Sequence, residues 1–348
     1  MKLFFLFLII SFLFSGCSNR GREAGASSVT GPSILVFIPG VVAGSATYEM
    51  LEEGVRRAVD DYSAANPAAN PAPTITVIEG GFNQAAWEGQ IMTLAASGNY
   101  DLIASSNPSL PEIVSVVSRS FPEQKFLLLD AEMAGNPNVY SFRFNQREKT
   151  FMSGYLAALV SLEERPDSRR IGFVAAQEYP VLNDILLPGF IEGAQAVDPG
   201  FTVDFRVVGN WFDAARAAEL AAGMIRDGVT AILPIAGGAS HGVVQAASEA
   251  GAKVVWIDTN GYGIRPGTVI GSVILRQDRA AYETTLAFLH GTLPFGTAEL
   301  KGTADGFVDF IDDDPDYIAH VSQTVRDRQA ELVNRLRTGV LLIDELGR

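Results

Sequence analysis

The segment Gly238-Ala239-Ser240-His241-Gly242 fits the G-x-S-x-G pattern of a nucleophile elbow. A predicted strand precedes it and a predicted helix, Val243–Ala250, follows it, which is the context that such a serine requires. In a hydrolase, Ser240 would attack a carbonyl carbon, and Asp258 with His290 or His320 would complete the triad. A serine hydrolase is therefore one interpretation of this chain.

A structural explanation of the same segment competes with hydrolysis. Glycine-rich turns between a strand and a helix are common because the chain must turn sharply there. No HGGG-like segment that could supply an oxyanion hole lies upstream, and His290 falls at a predicted helix end, where it stabilises the last carbonyls. We therefore assign no catalytic residue and keep the hydrolase as an alternative.

Metal and nucleotide sites find no support in the motifs. The three histidines are isolated, and the sequence has no HExxH motif and no cysteine pair. The acidic run 312–316 lacks the glycine and glutamate spacing of a calcium loop. The sequence also lacks a P-loop, and no G-x-G-x-x-G follows the first predicted strand. We expect no metal and no cofactor.

Polar, aromatic and glycine residues recur where predicted strands end. In open α/β sheets, ligands bind beyond the carboxyl ends of the strands. Aromatic rings there can stack on a ligand, carboxylates can hold hydroxyl groups, and glycines allow close backbone approach. The candidate ligand-binding residues are Tyr48, Asn107, Asp130, Trp211, Gly237, Gly238 and Asp258. The alternative is that Trp211 is core, the aspartates cap helices and the glycines only turn the chain.

The elements that must position these residues alternate between short apolar runs and longer helical patterns. The predicted strands are Ile34–Pro39, Thr74–Glu79, Asp101–Ser105, Lys125–Asp130, Val139–Phe144, Arg170–Ala176, Thr202–Val208, Ala231–Ala236, Lys253–Asp258, Thr268–Leu275 and Gly306–Phe310. The periodicity also predicts helices over Tyr48–Ala64 and Ala214–Asp227. This alternation predicts parallel α/β sheets, and the number of strands favours two doubly wound, Rossmann-like lobes.

The first residues have the pattern of an exported lipoprotein. Lys2 precedes a short apolar run that ends in Phe14-Ser15-Gly16-Cys17. This predicts a signal peptide over residues 1–16, a lipid on Cys17, which is the only cysteine, and a flexible tether over residues 17–32. An uncleaved signal anchor with an incidental cysteine is the alternative. We expect a membrane-anchored protein that faces the periplasm or the cell exterior.

The charge of the chain excludes some partners. The net charge of −14 over 348 residues argues against nucleic acid and anionic lipid headgroups, because both are bound by lysine and arginine. We therefore expect no nucleic acid partner.

Several segments resemble the basic membrane protein family, the purine nucleoside receptor-like lipoproteins of ABC importers. Val139–Arg143 leading into Phe151–Ala158 resembles the family's crossing strand and the helix after it. Ile171–Val174 through Gly189–Ala194 resembles the start of its second lobe, and Val208–Ala215 its aromatic turn that contacts ligand. The segments Ala236–Gly238 and Val255–Asp258 match later family motifs.

The resemblance implies two lobes of the type I periplasmic-binding fold that close on a ligand. Trp211 would stack on a nucleobase, Asp130 and Asp258 would hold base or ribose groups, and Gly237 and Gly238 would line the cleft. Lobe 1 is predicted over residues 33–142 with part of 259–348, lobe 2 over 143–258, and hinge segments near residues 143, 259 and 275. An ABC permease is the expected partner, and a ligand-sensing lipoprotein without transport is a further alternative.

The sequence also departs from the family at two places. The family's Asp-x-Gly turn reads Pro39-Gly40-Val41, with Tyr48 near the place of the usual phenylalanine. A lysine that the family has near Leu275 is absent, and Arg276 is adjacent. These departures concern the specificity for purine nucleosides more than the fold.

Overall fold

The computed structural model describes residues 31–68 and 71–345. The predicted signal peptide, Cys17 and nearly all of the predicted tether lie outside the described residues. Within the described part, the strands are β1 (Ser33–Ile38), β2 (Thr74–Glu79), β3 (Leu102–Ser106), β4 (Lys125–Leu129), β5 (Val139–Phe144), β6 (Arg170–Ala175), β7 (Thr202–Val207), β8 (Ala231–Ile235), β9 (Lys253–Asp258), β10 (Val269–Leu275), β11 (Ala298–Lys301) and β12 (Val308–Phe310).

These strands form two six-stranded sheets with the same internal order. The first sheet runs β2-β1-β3-β4-β5-β11 and the second runs β7-β6-β8-β9-β10-β12. The pairing is parallel except between β10 and β12. The prediction of two doubly wound α/β lobes is confirmed, and β4 and β9 occupy equivalent places in the two sheets. None of the strands predicted from the sequence covers the residues of β11.

The apolar runs became strands because helices cover both faces of each sheet. In β1, Leu35 to Ile38 are fully buried, and every residue of β3 and β8 is buried. The edge strands β2 and β7 are more exposed. Near-continuous apolar strands are expected when a parallel sheet is buried on both faces.

The helices alternate with the strands along the chain. They are α1 (Ala46–Ala65), α2 (Gln84–Ala96), α3 (Leu110–Ser120), α4 (Gln146–Glu164), α5 (Leu187–Val197), α6 (Ala214–Arg226), α7 (Ser240–Ala250), α8 (Gln277–Leu289), α9 (Pro315–His320) and α10 (Gln323–Arg337). A π-helical turn, Leu182–Leu186, leads into α5.

Helices α4 and α5 pack with almost no side chain between them. A Cβ atom on Gly154 would lie 2.0 Å from the carbonyl oxygen of Phe190, and one on Gly193 would lie 2.0 Å from that of Phe151. Only glycine permits this approach of the two backbones. This contact fixes the position of α4 against α5. Helix α4 starts where the chain leaves β5 and crosses to the second sheet.

The chain crosses between the sheets at three places within the described residues: from β5 into α4, from β10 into α8, and from β11 into β12. The crossings are hydrogen-bonded to one another. The amide of Asn145 donates to the carbonyl of Lys301 (2.8 Å), and the amide of Arg276 donates to that of Phe307 (2.9 Å). Both β9 and β10 belong to the second sheet, so the chain makes no crossing at residue 259, near which one hinge segment was predicted.

Candidate ligand-binding site

Asp130 and Asp258 stand at equivalent positions in the two sheets. Asp130 directly follows β4 and Asp258 ends β9. Their φ angles are 50° and 72°, and no other non-glycine residue in the described part of the chain has a positive φ. Aspartate tolerates this left-handed conformation better than most residues. Each sheet therefore presents a carboxylate at the carboxyl ends of its strands. The strand that carries it is the third one counted from β11 in the first sheet and from β12 in the second.

The first turns of α4 connect the two carboxylates. The Lys149 ammonium bonds Asp258 Oδ1 at 2.8 Å, and its side chain is only 4% exposed. The Gln146 amide donates to Asp130 Oδ1 at 2.9 Å. The Asn145 side chain caps α4, the helix that carries both side chains, by accepting the amide of Glu148.

The charges of Lys149 and Asp258 both act on Asp130. Burial raises the pKa of the Asp130 carboxyl above its ordinary value, and the negative charge of Asp258 raises it further. The charge of Lys149 and the hydrogen bond from Gln146 oppose this rise in pKa. The two aspartates and Lys149 thus form one electrostatic group.

Tyr48 and Asn107 lie on the side of the first sheet. The Asn107 side-chain oxygen accepts from the amide and hydroxyl of Ser109, so its NH2 group faces the Tyr48 hydroxyl at 3.4 Å. That hydroxyl donates to the Pro39 carbonyl at 2.9 Å. Burial raises the Tyr48 pKa, the hydrogen bond with Asn107 opposes this rise, and the charge of Asp130 adds to it.

Gly40 explains how Tyr48 fits beside the first strand. The φ of Gly40 is +151°, and a Cβ atom there would lie 3.0 Å from the ring of Tyr48. The ring therefore covers the Pro39–Gly40 turn, and its hydroxyl bonds that turn's carbonyl. The Pro39-Gly40 turn and Tyr48, which both differ from the family pattern, are thus in direct contact.

Trp211 lies on the side of the second sheet. Its side chain is 42% exposed, and its ring centroid is 6.1 Å from that of Tyr179. The turn that holds it is ordered by the Asn210 side chain, which accepts the amides of Phe212 and Asp213. Burial raises the Tyr179 pKa, and the charges of Asp258 and Asp130 add to the rise.

Gly237 allows the backbone to approach Trp211. Its φ is +55°, and a Cβ atom would lie 3.1 Å from the Trp211 carbonyl oxygen and 3.3 Å from its indole ring. For Gly238 the nearest such atom is 3.6 Å away, an ordinary contact. Steric limits therefore require glycine at position 237 and not at 238.

The turn around Ser240 has a packing role. The Ser240 hydroxyl is buried and accepts the amide of Ala236 at 3.1 Å. A Cβ atom on Gly242 would lie 1.8 Å from the Ala214 carbonyl, so Gly242 lets α7 pack closely on α6. His290 packs against Tyr62, with ring centroids 5.2 Å apart. Backbone packing accounts for Gly242, and the hydrogen bond to Ala236 accounts for the buried Ser240, whereas no close contact requires glycine at position 238.

A segment after α10 covers the start of α4. The Glu345 side chain is 2% exposed and pairs with Arg143 at 2.6 Å, while Arg143 also pairs with Glu132 at 2.8 Å. The Asn145 side chain donates to the Ile343 carbonyl at 2.8 Å. Burial raises the Glu345 pKa from 4.5 to about 7, and Arg143 only partly opposes the rise.

Sequence reasoning missed Lys149, Gln146, Tyr179 and Glu345. The first two lie in the first turns of a helix and belong to no motif, and Lys149 reaches an aspartate 109 positions away. One feature of the sequence could have indicated Gln146 and Lys149. They belong to a run of four polar or charged residues, Gln146 to Lys149, at the start of α4, and the structure shows that this run is buried.

Three observations concern the described residues outside the site. Among the described residues, no helix is both long and apolar enough to span a membrane. No group of three or more histidine, cysteine, aspartate or glutamate side chains in this part of the chain could hold a metal ion. An open depression of about 650 Å³, lined by residues that include Tyr100, Phe121 and Phe288, lies at the amino edge of the first sheet, away from the site.

Known proteins resemble this chain in sequence and in fold. Residues 32–339 match the family model described as ABC transporter substrate-binding protein PnrA-like. The chain is 27% identical over 168 residues to the ABC transporter nucleoside-binding protein BmpA of Lactococcus lactis, covering 47% of this chain and 46% of that protein. It is 24% identical over 308 residues to basic membrane protein D of Borreliella burgdorferi, covering 87% and 84%.

The chain spans about half the length of several curated relatives that it matches, and the Lactococcus protein is one of them. Among solved structures, an ABC transporter solute-binding protein from Aeropyrum pernix K1 superposes with a TM-score of 0.74. It is 20% identical, and the match covers 90% of this chain and 93% of that one. This likeness supports the periplasmic-binding fold. With the family model covering most of its length, the chain belongs to the PnrA-like family of ABC transporter substrate-binding proteins.

Proposed function

We propose that this protein binds a purine nucleoside in the cleft between its two sheets and delivers it to an ABC permease. One observation carries the proposal: Asp130 directly follows β4, Asp258 ends the equivalent strand β9, and Lys149 pairs with Asp258 while its charge also acts on Asp130. Carboxylates from both sheets can then hold one ligand from two sides. Ligands of open α/β sheets bind at this edge.

The side chains around the carboxylates suit a planar, hydroxylated ligand. Trp211 offers an indole ring that is partly exposed and backed by Tyr179. Asn107 offers a side-chain NH2 group and Tyr48 a hydroxyl, both neutral. Aromatic rings recognise a nucleobase by stacking, and carboxylates accept hydrogen bonds from ribose hydroxyls. The printed name of the Lactococcus relative, a nucleoside-binding protein, supports the same ligand class.

The proposal includes no catalysis and assigns two lobes. Lobe 1 comprises 33–142 with part of the chain after 259, and lobe 2 starts at 143. Because β10 pairs with β9, we place the return to lobe 1 at residue 276, after β10.

We further propose that the lipid on Cys17 anchors the protein, facing the periplasm or the cell exterior. Radiolabelled palmitate should enter the wild type and not Cys17→Ser.

The ligand class is tested by a thermal-shift panel of nucleosides, free bases, sugars and amino acids, followed by calorimetry. A ligand that binds only the folded state raises its melting temperature by mass action. A shift with purine nucleosides, reduced in Asp130→Asn, is the expected result. A shift confined to another ligand class would refute the nucleoside assignment and leave the family assignment in place.

A further inference from the structure

The Lys149 side chain lies where a charged residue is costly. It is 4% exposed and is the fourth residue of α4. The amino end of a helix carries a partial positive charge, and burial also disfavours the ammonium. A lysine is stable there only with nearby carboxylates, and the structure provides Asp258 at 2.8 Å and the charge of Asp130.

Lys149 is the cation most closely engaged with the two aspartates. Arg143 also acts on Asp130, but its guanidinium already pairs with Glu132 and Glu345. The other groups at the site, Tyr48, Asn107, Gln146, Tyr179 and Trp211, are neutral. The site therefore has two carboxylates and one ammonium built into its wall.

We propose that Lys149 is the specificity-determining residue that restricts this site to uncharged ligands, because its ammonium already pairs with Asp258, one of the two carboxylates that a ligand cation would otherwise meet. This inference rests on the function proposed above. A ligand amine would have to enter beside an ammonium that is already bonded to Asp258. A ligand phosphate would meet two carboxylates. Neutral hydroxyl groups can donate to the remaining carboxylate lone pairs without either conflict.

The test compares adenosine with 5′-amino-5′-deoxyadenosine and 3′-amino-3′-deoxyadenosine, which carry a positive charge at pH 7, and with adenosine monophosphate. Calorimetry on the whole wild-type protein should show at least tenfold tighter binding of adenosine than of the other three. Lys149→Met removes the ammonium and keeps a long apolar side chain. In this variant the preference for adenosine over the better amino analogue should fall at least tenfold.

Two variants serve as controls. Lys149→Arg keeps the charge and should keep the preference for adenosine. Lys125→Met removes a lysine of β4 whose ammonium lies over the Phe295 ring, and it should leave the preference for adenosine unchanged. A melting curve checks that each variant is folded, and Lys149→Gln replaces Lys149→Met if the latter is not.

The outcomes separate this inference from the proposed function. If wild type binds an amino analogue as tightly as adenosine, or if folded Lys149→Met and Lys149→Gln keep the wild-type preference, the inference is overturned and nucleoside binding stands. If wild type binds no nucleoside but binds sugars, the proposed function fails. Glucose and glucosamine then replace the nucleoside pair, and the same change in preference decides the role of Lys149. Absence of binding to every compound overturns both.

Discussion

Replacing Glu345 by glutamine should stabilise the protein above pH 7 and leave its stability nearly unchanged near pH 4.5. The Glu345 side chain is 2% exposed, and Asp130 and Glu132 face it together with Arg143. Burial is the largest cause of the rise in its pKa from 4.5 to about 7, which Arg143 only partly opposes. The folded protein thus holds this proton at pH values where the unfolded chain has released it.

The sign and size of the effect follow from linkage. A group whose pKa is raised by folding stabilises the folded state below its unfolded pKa, and this stabilisation is lost as pH rises through the folded pKa. The relevant window for Glu345 runs from 4.5 to about 7. At 1.36 kcal/mol for each pKa unit, ionisation of Glu345 costs up to about 3 kcal/mol of unfolding free energy, which Glu345→Gln avoids.

Urea unfolding of wild type and Glu345→Gln at several pH values between 4.5 and 8 measures this difference. The variant's advantage should grow across the window by up to about 3 kcal/mol. Glu331→Gln, an exposed glutamate of α10, is the control and should show no such growth. An advantage for Glu345→Gln that stays constant over the whole pH range would refute the reasoning.

Four other predictions follow from the site and its packing. Trp211→Ala should weaken nucleoside binding by about 0.5–1.5 kcal/mol beyond the lost burial, and unchanged affinity by calorimetry would misplace the pocket. Asp258→Ala should weaken a nucleoside much more than its free base; equal losses would exclude a ribose contact. Gly242→Ala should cost about 1–3 kcal/mol of unfolding free energy, whereas Gly89→Ala, with open space around it, should cost nothing. A fluorophosphonate probe should leave Ser240 unlabelled; labelling would favour the hydrolase.

The strands were predictable because burial on both faces leaves a local signal. Runs such as Ile34–Ile38 and Ala231–Ile235 are apolar throughout, and a glycine or proline follows each within two residues, Pro39 after the first and Gly237 after the second. Strand β11, Ala298–Lys301, escaped prediction because it is a short edge strand with two charged residues, and its residues are partly exposed. Its pairing with β5 arises from the crossing topology, which no local pattern encodes.

The site was predictable only where strand ends mark it. Asp130 and Asp258 were found because each follows an apolar run, and the structure joins them in one electrostatic group. Lys149 was not found because its partner is distant in sequence and its helix position looks like an ordinary exposed charge. Their roles in binding a ligand stay a prediction.

The three crossings between the sheets have a mechanical consequence. The segment from β11 to β12 is hydrogen-bonded to both other crossings, through Lys301 and Phe307, so it lies in the middle of a band of three strands of chain. A band of this kind bends about an axis across its width and resists torsion about its length. We therefore expect any opening of the two sheets to follow this bending direction and to return Asp130 and Asp258 to the same relative position on closing.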